Sequence, residues 1–101
     1  MFTVDHLENK YIVSFYNVSR LSILNTEEIE QKIIPIIKNP GSHLIINWSG
    51  IKFIDSTGFE LLLKIYRTSR IHNSTFGFIN VSEEIKELFK LVELEHIFEI
   101  A

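Results

Sequence analysis

The residues with the most chemical potential in this chain stand together, at Asp55-Ser56-Thr57-Gly58. A serine on a strand-to-helix turn invites comparison with a nucleophile elbow, which needs glycine both two residues before the serine and two after it. Gly58 meets the second condition, but Ile54 occupies the other position. The histidines His6, His43, His72 and His96 are dispersed, and none has an identifiable orienting partner, so no Ser-His-acid arrangement can be assembled. There is no GxGxxG or GxxxxGK[ST] phosphate cradle, no His pair at i,i+4 and no cysteine, which argues against a nucleotide cofactor and against a metal site. The chain reads as a protein that is not an enzyme and carries no cofactor.

What these residues can still do follows from their place at the start of a helix. The first N–H groups of a helix lack partners, and Asp, Ser and Thr side chains accept hydrogen bonds from them. The same end favours added negative charge. Ser56 is therefore a candidate acceptor of a phosphate, which would bring about −1.5 to −2 charge to this point. With Asp55 and Glu60 close by, that charge would repel acidic neighbours and oppose an acidic or apolar partner surface. The plainer alternative is that Asp55, Ser56 and Thr57 only cap the helix, and the residues alone leave both open.

The elements that position this stretch are a strand before it and a helix after it. His43 to Trp48 is a short β-rich apolar run, and Phe59 to Arg67 has helical period, the two signals that separate buried strand from amphipathic helix. Phe59, Leu62, Leu63 and Tyr66 form the expected core-facing stripe, with Glu60 and Lys64 paired at i,i+4 on the opposite side. Leu61 falls on the side expected to face water and Ile65 at the edge of that face; they read either as isolated surface apolar residues or as part of a docking surface beside Ser56.

Elsewhere, Phe2–Leu7 and Tyr11–Tyr16 flank a polar turn and read as an antiparallel hairpin. Residues 17–24 are irregular. Asn25 and Glu28 have capping-box spacing ahead of a helix burying Ile29, Ile33, Ile36 and Ile37, which Pro35 should kink or end early. A strand over Ser74–Asn80 precedes a helix capped by Ser82 that buries Ile85, Leu88, Phe89 and Val92. Ile97–Ile100 closes the chain as a short strand or apolar tail. The order β-β-α-β-α-β-α predicts an α/β fold with a mixed, mostly parallel sheet.

At 101 residues the chain has room for one domain, spanning 1–101, and its 46% apolar share is that of an ordinary globular protein. The formal charge of −3, with basic residues scattered among acidic ones, argues against a nucleic-acid partner. No apolar run reaches the roughly 18 residues that span a bilayer, and the N-terminus lacks the pattern of a signal peptide. A cytoplasmic location without membrane insertion is expected.

Residues 44–59, an apolar strand, a short turn and then Asp55-Ser56-Thr57-Gly58-Phe59, resemble the signature of the STAS domain (sulfate transporter and anti-sigma factor antagonist). Phe78-Ile79-Asn80-Val81-Ser82, with Ile85, Leu88, Leu91 and the segment from Leu94 to Phe98, is similar to the family's third helix and closing segment. The resemblance implies helices packed mainly on one side of the sheet. It also implies an anti-sigma factor antagonist that binds a serine kinase doubling as anti-sigma factor, is phosphorylated on the serine after the aspartate, here Ser56, and is reset by a serine phosphatase. Asp55, Thr57, Gly58, Glu60, Leu61 and Ile65 are the expected partner-binding residues around it. The runner-up is a STAS scaffold subunit of a transporter or signalling complex that is never phosphorylated. This sequence departs from the family pattern at Phe59, where Leu is usual, at Glu60, where a small residue is common, and at Arg20-Leu21-Ser22, where relatives carry an acidic residue. Whether the chain forms a homodimer through an edge strand is left open.

Overall fold

Glu8 and Asn9 join β1 (Phe2–Leu7) to β2 (Lys10–Phe15), with Glu8 at a left-handed φ of 58°, as tight two-residue hairpin turns demand. The computed structural model to which this hairpin belongs describes residues 1–94 and 97–100. The chain continues through β3 (Arg20–Leu21), α1 (Thr26–Ile37), β4 (His43–Asn47), β5 (Phe53–Ile54), α2 (Ser56–Ile71), β6 (Thr75–Ile79), α3 (Glu83–Leu91) and β7 (Glu99–Ile100). Five strands form the main sheet in the order β1-β2-β4-β6-β7. β1 is antiparallel to β2, and every other pairing in the sheet is parallel. β3 and β5 pair separately as a parallel two-stranded ribbon.

The mixed, mostly parallel sheet expected from the sequence is present. Val13, Leu44, Ile46, Phe76 and Phe78 alternate onto one face and are buried, in the register Val13–Ile46–Phe78 and Leu44–Phe76 across neighbouring strands. Ile29, Ile33 and Ile37 of α1, Leu62 and Ile65 of α2, and Ile85 and Phe89 of α3 complete one core against that face. On the reverse face Ile12, Ile45 and Ile79 are only partly covered, so the helices lie on one side. Among the described residues, no helix is long and apolar enough to cross a membrane. His96 lies outside the described residues.

Several local expectations are corrected. The irregular stretch 17–24 contains β3, too short to carry a period. Asn25 stands at the N-cap of α1, but its side chain makes no cap hydrogen bond. Its Oδ1 accepts the Ser22 N–H and its Nδ2 donates to Arg20 O, so Asn25 braces the preceding loop instead. Pro35 does not stop α1, which continues to a fully buried Ile37, with Lys38 N–H closing on Ile34 O. Core packing of Ile37 outweighs the hydrogen bond missing at Pro35, and the buried Ser74 hydroxyl donates at 2.8 Å to the Ile37 carbonyl at the C-terminal end of the helix. Val92 is exposed, because α3 ends at Leu91.

The largest correction concerns α2. Leu61 and Ile65 are 4% and 0% exposed and belong to the core. The helix is covered on two sides, by the sheet and by α1, so its buried stripe runs through Gly58, Leu61, Leu62, Ile65 and Ser69. A single-stripe reading cannot see the second neighbour. Lys64 also turns across to α1, where its Nζ lies 3.1 Å from Glu30 Oε2; this is the ion pair it makes, rather than one with Glu60.

Candidate functional site

A four-residue turn delivers the chain from β4 to the head of α2. Trp48 and Ile51 are buried at its two ends, Ile51 N–H donates to Trp48 O at 2.9 Å, and Gly50 takes a φ of 85° between them. That left-handed φ at the third position of the turn is one that glycine adopts without steric cost. The following ribbon fixes direction: Lys52 N–H donates to Ser19 O and Asp55 N–H to Leu21 O. The β3–β5 pair thereby aims residues 55–57 outward.

Asp55 is the N-cap of α2, extended at φ −95° and ψ −176°. Its Oδ1 accepts the Gly58 N–H at 2.9 Å and the Thr57 hydroxyl at 2.6 Å, while Oδ2 accepts the Ile23 N–H at 3.2 Å. These bonds favour the ionised form. The Thr57 hydroxyl, aided by the N–H groups of Gly58, Ile23 and Thr57, holds the Asp55 carboxyl below the usual carboxylate range against the opposing effect of partial burial. Gly58 has a steric role: a Cβ there would lie 2.5 Å from Ile54 Cγ2 and 2.7 Å from the Leu21 carbonyl oxygen. Only glycine lets α2 start this close to the ribbon.

Ser56 is the first residue of α2 and is exposed. Among the described residues no side-chain hydrogen bond engages its hydroxyl, since Asp55 performs the capping and Thr57 supports Asp55. The structure thus divides the three residues that the sequence left equivalent. Ser56 alone presents a free Oγ to solvent at the positive end of a sixteen-residue helix.

A groove of about 390 Å³ opens beside it between α1 and α2, lined by Ile23, Thr26, Glu27, Glu30, Thr57, Glu60, Leu61 and Lys64. Of the residues expected at a docking surface, Thr57, Glu60 and Leu61 reach this groove, Leu61 as its nearly closed floor. Ile65 is wholly internal, and Gly58 is buried under the ribbon. The apolar surface lies instead in the loop before α1, where Ile23 and Leu24 are 69% and 87% exposed. The Ile23–Asp55 bond holds this loop against the head of α2. Phe53, half exposed two residues before Asp55, carries the Arg20 guanidinium over its ring at 5.5 Å. Sequence reading missed Ile23 and Leu24; the available signal was two adjacent large apolar residues in a stretch with no period to bury them.

The fold and this geometry can be set beside known proteins. The STAS domain family matches residues 4–101. This chain belongs to the STAS domain family. A curated relative, the anti-sigma-B factor antagonist of Staphylococcus epidermidis, is 24% identical over 90 residues, covering 85% of this chain and 82% of the relative. The anti-sigma-factor antagonist (STAS) domain protein of Planctomyces limnophilus superposes with a TM-score of 0.86 at 19% identity, over 98% of this chain and 87% of the other. The anti-sigma factor antagonist SpoIIAA in its unphosphorylated form gives a TM-score of 0.81 at 20% identity, over 100% and 88%. At these identities the solved structures establish a shared STAS fold.

Proposed function

We propose that this STAS protein is an anti-sigma factor antagonist, a binding switch controlled by phosphorylation of Ser56. In the unphosphorylated state it captures an anti-sigma factor that is also a serine kinase, and so frees the sigma factor. The observation carrying this reading is the division of labour at the head of α2: Asp55 and Thr57 satisfy the cap, and the exposed Ser56 hydroxyl is left over. The curated antagonist relative supports the same role.

In this reading the partner docks over Ile23, Leu24 and the groove floored by Leu61, beside Ser56. The kinase contributes ATP. Ser56 Oγ attacks the γ-phosphorus, its proton passes to a base of the kinase, and ADP leaves. The phosphoserine adds two negative charges, or nearly so, to a rim that already holds Asp55, Glu27 and Glu60. A partner matched to the neutral serine then meets an uncompensated charge, and the complex dissociates. A serine phosphatase restores binding by hydrolysing the ester.

The test is to incubate the purified chain with its captured kinase and ATP and to locate the phosphate by tandem mass spectrometry. Modification confined to Ser56 and abolished in Ser56→Ala is expected. A chain that stays unmodified while remaining bound to transporter or signalling-complex subunits would support the scaffold role instead.

A further inference from the structure

Strand β1 forms one edge of the main sheet, and its free side carries a complementary pattern of its own. The two-residue turn makes Leu7 and Lys10 the closing pair of the hairpin. Because hydrogen-bonded and non-bonded pairs alternate in an antiparallel ladder, Thr3 and Asp5 also bond to β2, whereas the backbone groups of Phe2, Val4 and His6 point outward. The bond from Tyr16 N–H to Met1 O fits the same alternation. Edge strands are commonly blunted by lysine, proline or a bulge. β1 contains neither lysine nor proline, pairs with β2 in unbroken register, and has Asp5 as its one acidic residue.

Beside this edge a groove of about 570 Å³ separates β1 from α1, lined by Phe2, Thr3, Val4, Glu28, Gln31 and Lys32. We propose that this edge and groove form the interface of a symmetric dimer, whose occupant is a second copy of the chain. Isologous contact demands a surface complementary to itself under two-fold rotation. With Val4 opposite Val4 of the other copy, Phe2 falls opposite His6 and Thr3 opposite Asp5, so no like charges face each other across the strands. The same rotation sets the two α1 helices antiparallel across the seam, with Glu28 of each copy facing Lys32 of the other. Opposite charges one helical turn apart on the groove wall are self-complementary under such a rotation. Both are exposed in the single chain. The dimer would join two five-stranded sheets into one. It leaves the Ser56 groove open on both copies, because that groove uses Glu27 and Glu30, on another flank of α1. The proposal therefore stands independently of the switch at Ser56.

Sedimentation equilibrium of the whole chain, from low micromolar to about millimolar concentration, tests it. Wild type is expected to show a reversible monomer–dimer equilibrium. Glu28→Lys, which sets like charges opposite each other twice, should weaken the dimer about tenfold. Combining Glu28→Lys with Lys32→Glu should restore it. Val4→Pro removes one outward N–H and leaves the inward bonds of Thr3 and Asp5 intact, and should yield monomer. If that variant fails to fold, the two charge variants at exposed positions still decide. A wild type that is monomeric throughout the range overturns the proposal. So does a dimer that neither the proline nor the charge reversal weakens, or one that the double swap fails to restore.

Discussion

The Asp55 carboxylate accepts the backbone N–H of Ile23 at 3.2 Å, joining residues 32 positions apart. One oxygen of Asp55 caps α2 and the other anchors the exposed apolar loop, so a single side chain couples the candidate modification site to the loop proposed as docking surface. Replacing Asp55 by Ala should cost about 1–2 kcal/mol, the usual range for a lost N-cap, as read by urea denaturation. Partner affinity should fall further than stability alone accounts for, because Ile23 and Leu24 lose their tether. An affinity unchanged from wild type would show that the loop needs no anchor.

The depressed pKa of Asp55 gives a pH dependence of definite sign. A carboxyl held below its unfolded value stabilises the folded state above the unfolded pKa of about 3.9. That contribution is lost as pH falls through the lower folded value. Acid unfolding curves of wild type and Asp55→Asn should therefore be separated most widely at neutral pH and converge in strong acid. Parallel curves down to pH 2 would mean that the carboxylate charge is immaterial to stability.

Gly58 is fixed by closeness to the ribbon. Gly58→Ala places a methyl group against the Leu21 carbonyl oxygen and Ile54, and the backbone partner cannot rotate away. A loss of about 1–3 kcal/mol is expected, the range for overpacking, measurable by thermal or chemical denaturation. A neutral effect would contradict the close approach of α2 to β3.

Burial separates two sets of apolar residues near Ser56. Leu61→Ala and Ile65→Ala should each cost about 2–5 kcal/mol, as large-to-small core substitutions do. Ile23→Ala and Leu24→Ala should change stability by no more than about 0.5 kcal/mol yet weaken capture of the partner. The measurement is a denaturation midpoint together with a binding isotherm for each variant. If Leu61→Ala and Ile65→Ala left stability untouched and removed binding, these two side chains would be partner contacts rather than core.

Strong local signals made much of this fold legible in the sequence. The Glu8–Asn9 hairpin, the apolar run of β4, the Ser82 cap and the periodic faces of all three helices each depend on neighbours in sequence. What was missed depends on neighbours in space. β3 and β5 are two residues each and exist because they pair with each other. Asn25 has the composition of a cap but is used by the 20–22 backbone. Leu61 and Ile65 seemed to face water because one periodic face implies one buried side, whereas α1 covers a second. At the site, sequence located Asp55, Ser56 and Thr57 at a helix start but could not apportion their roles, which the hydrogen bonds of Asp55 do.

The most direct test of the switch is to titrate the captured kinase into wild type, Ser56→Ala and Ser56→Asp by isothermal calorimetry. The account predicts that Ser56→Ala binds within about twofold of wild type, since its hydroxyl holds no structural bond. Ser56→Asp should bind at least about tenfold more weakly, a change of about 1.4 kcal/mol, with an unaltered unfolding midpoint. Equal affinities for Ser56→Ala and Ser56→Asp would contradict it, and the head of α2 would then be a fixed cap rather than a switch.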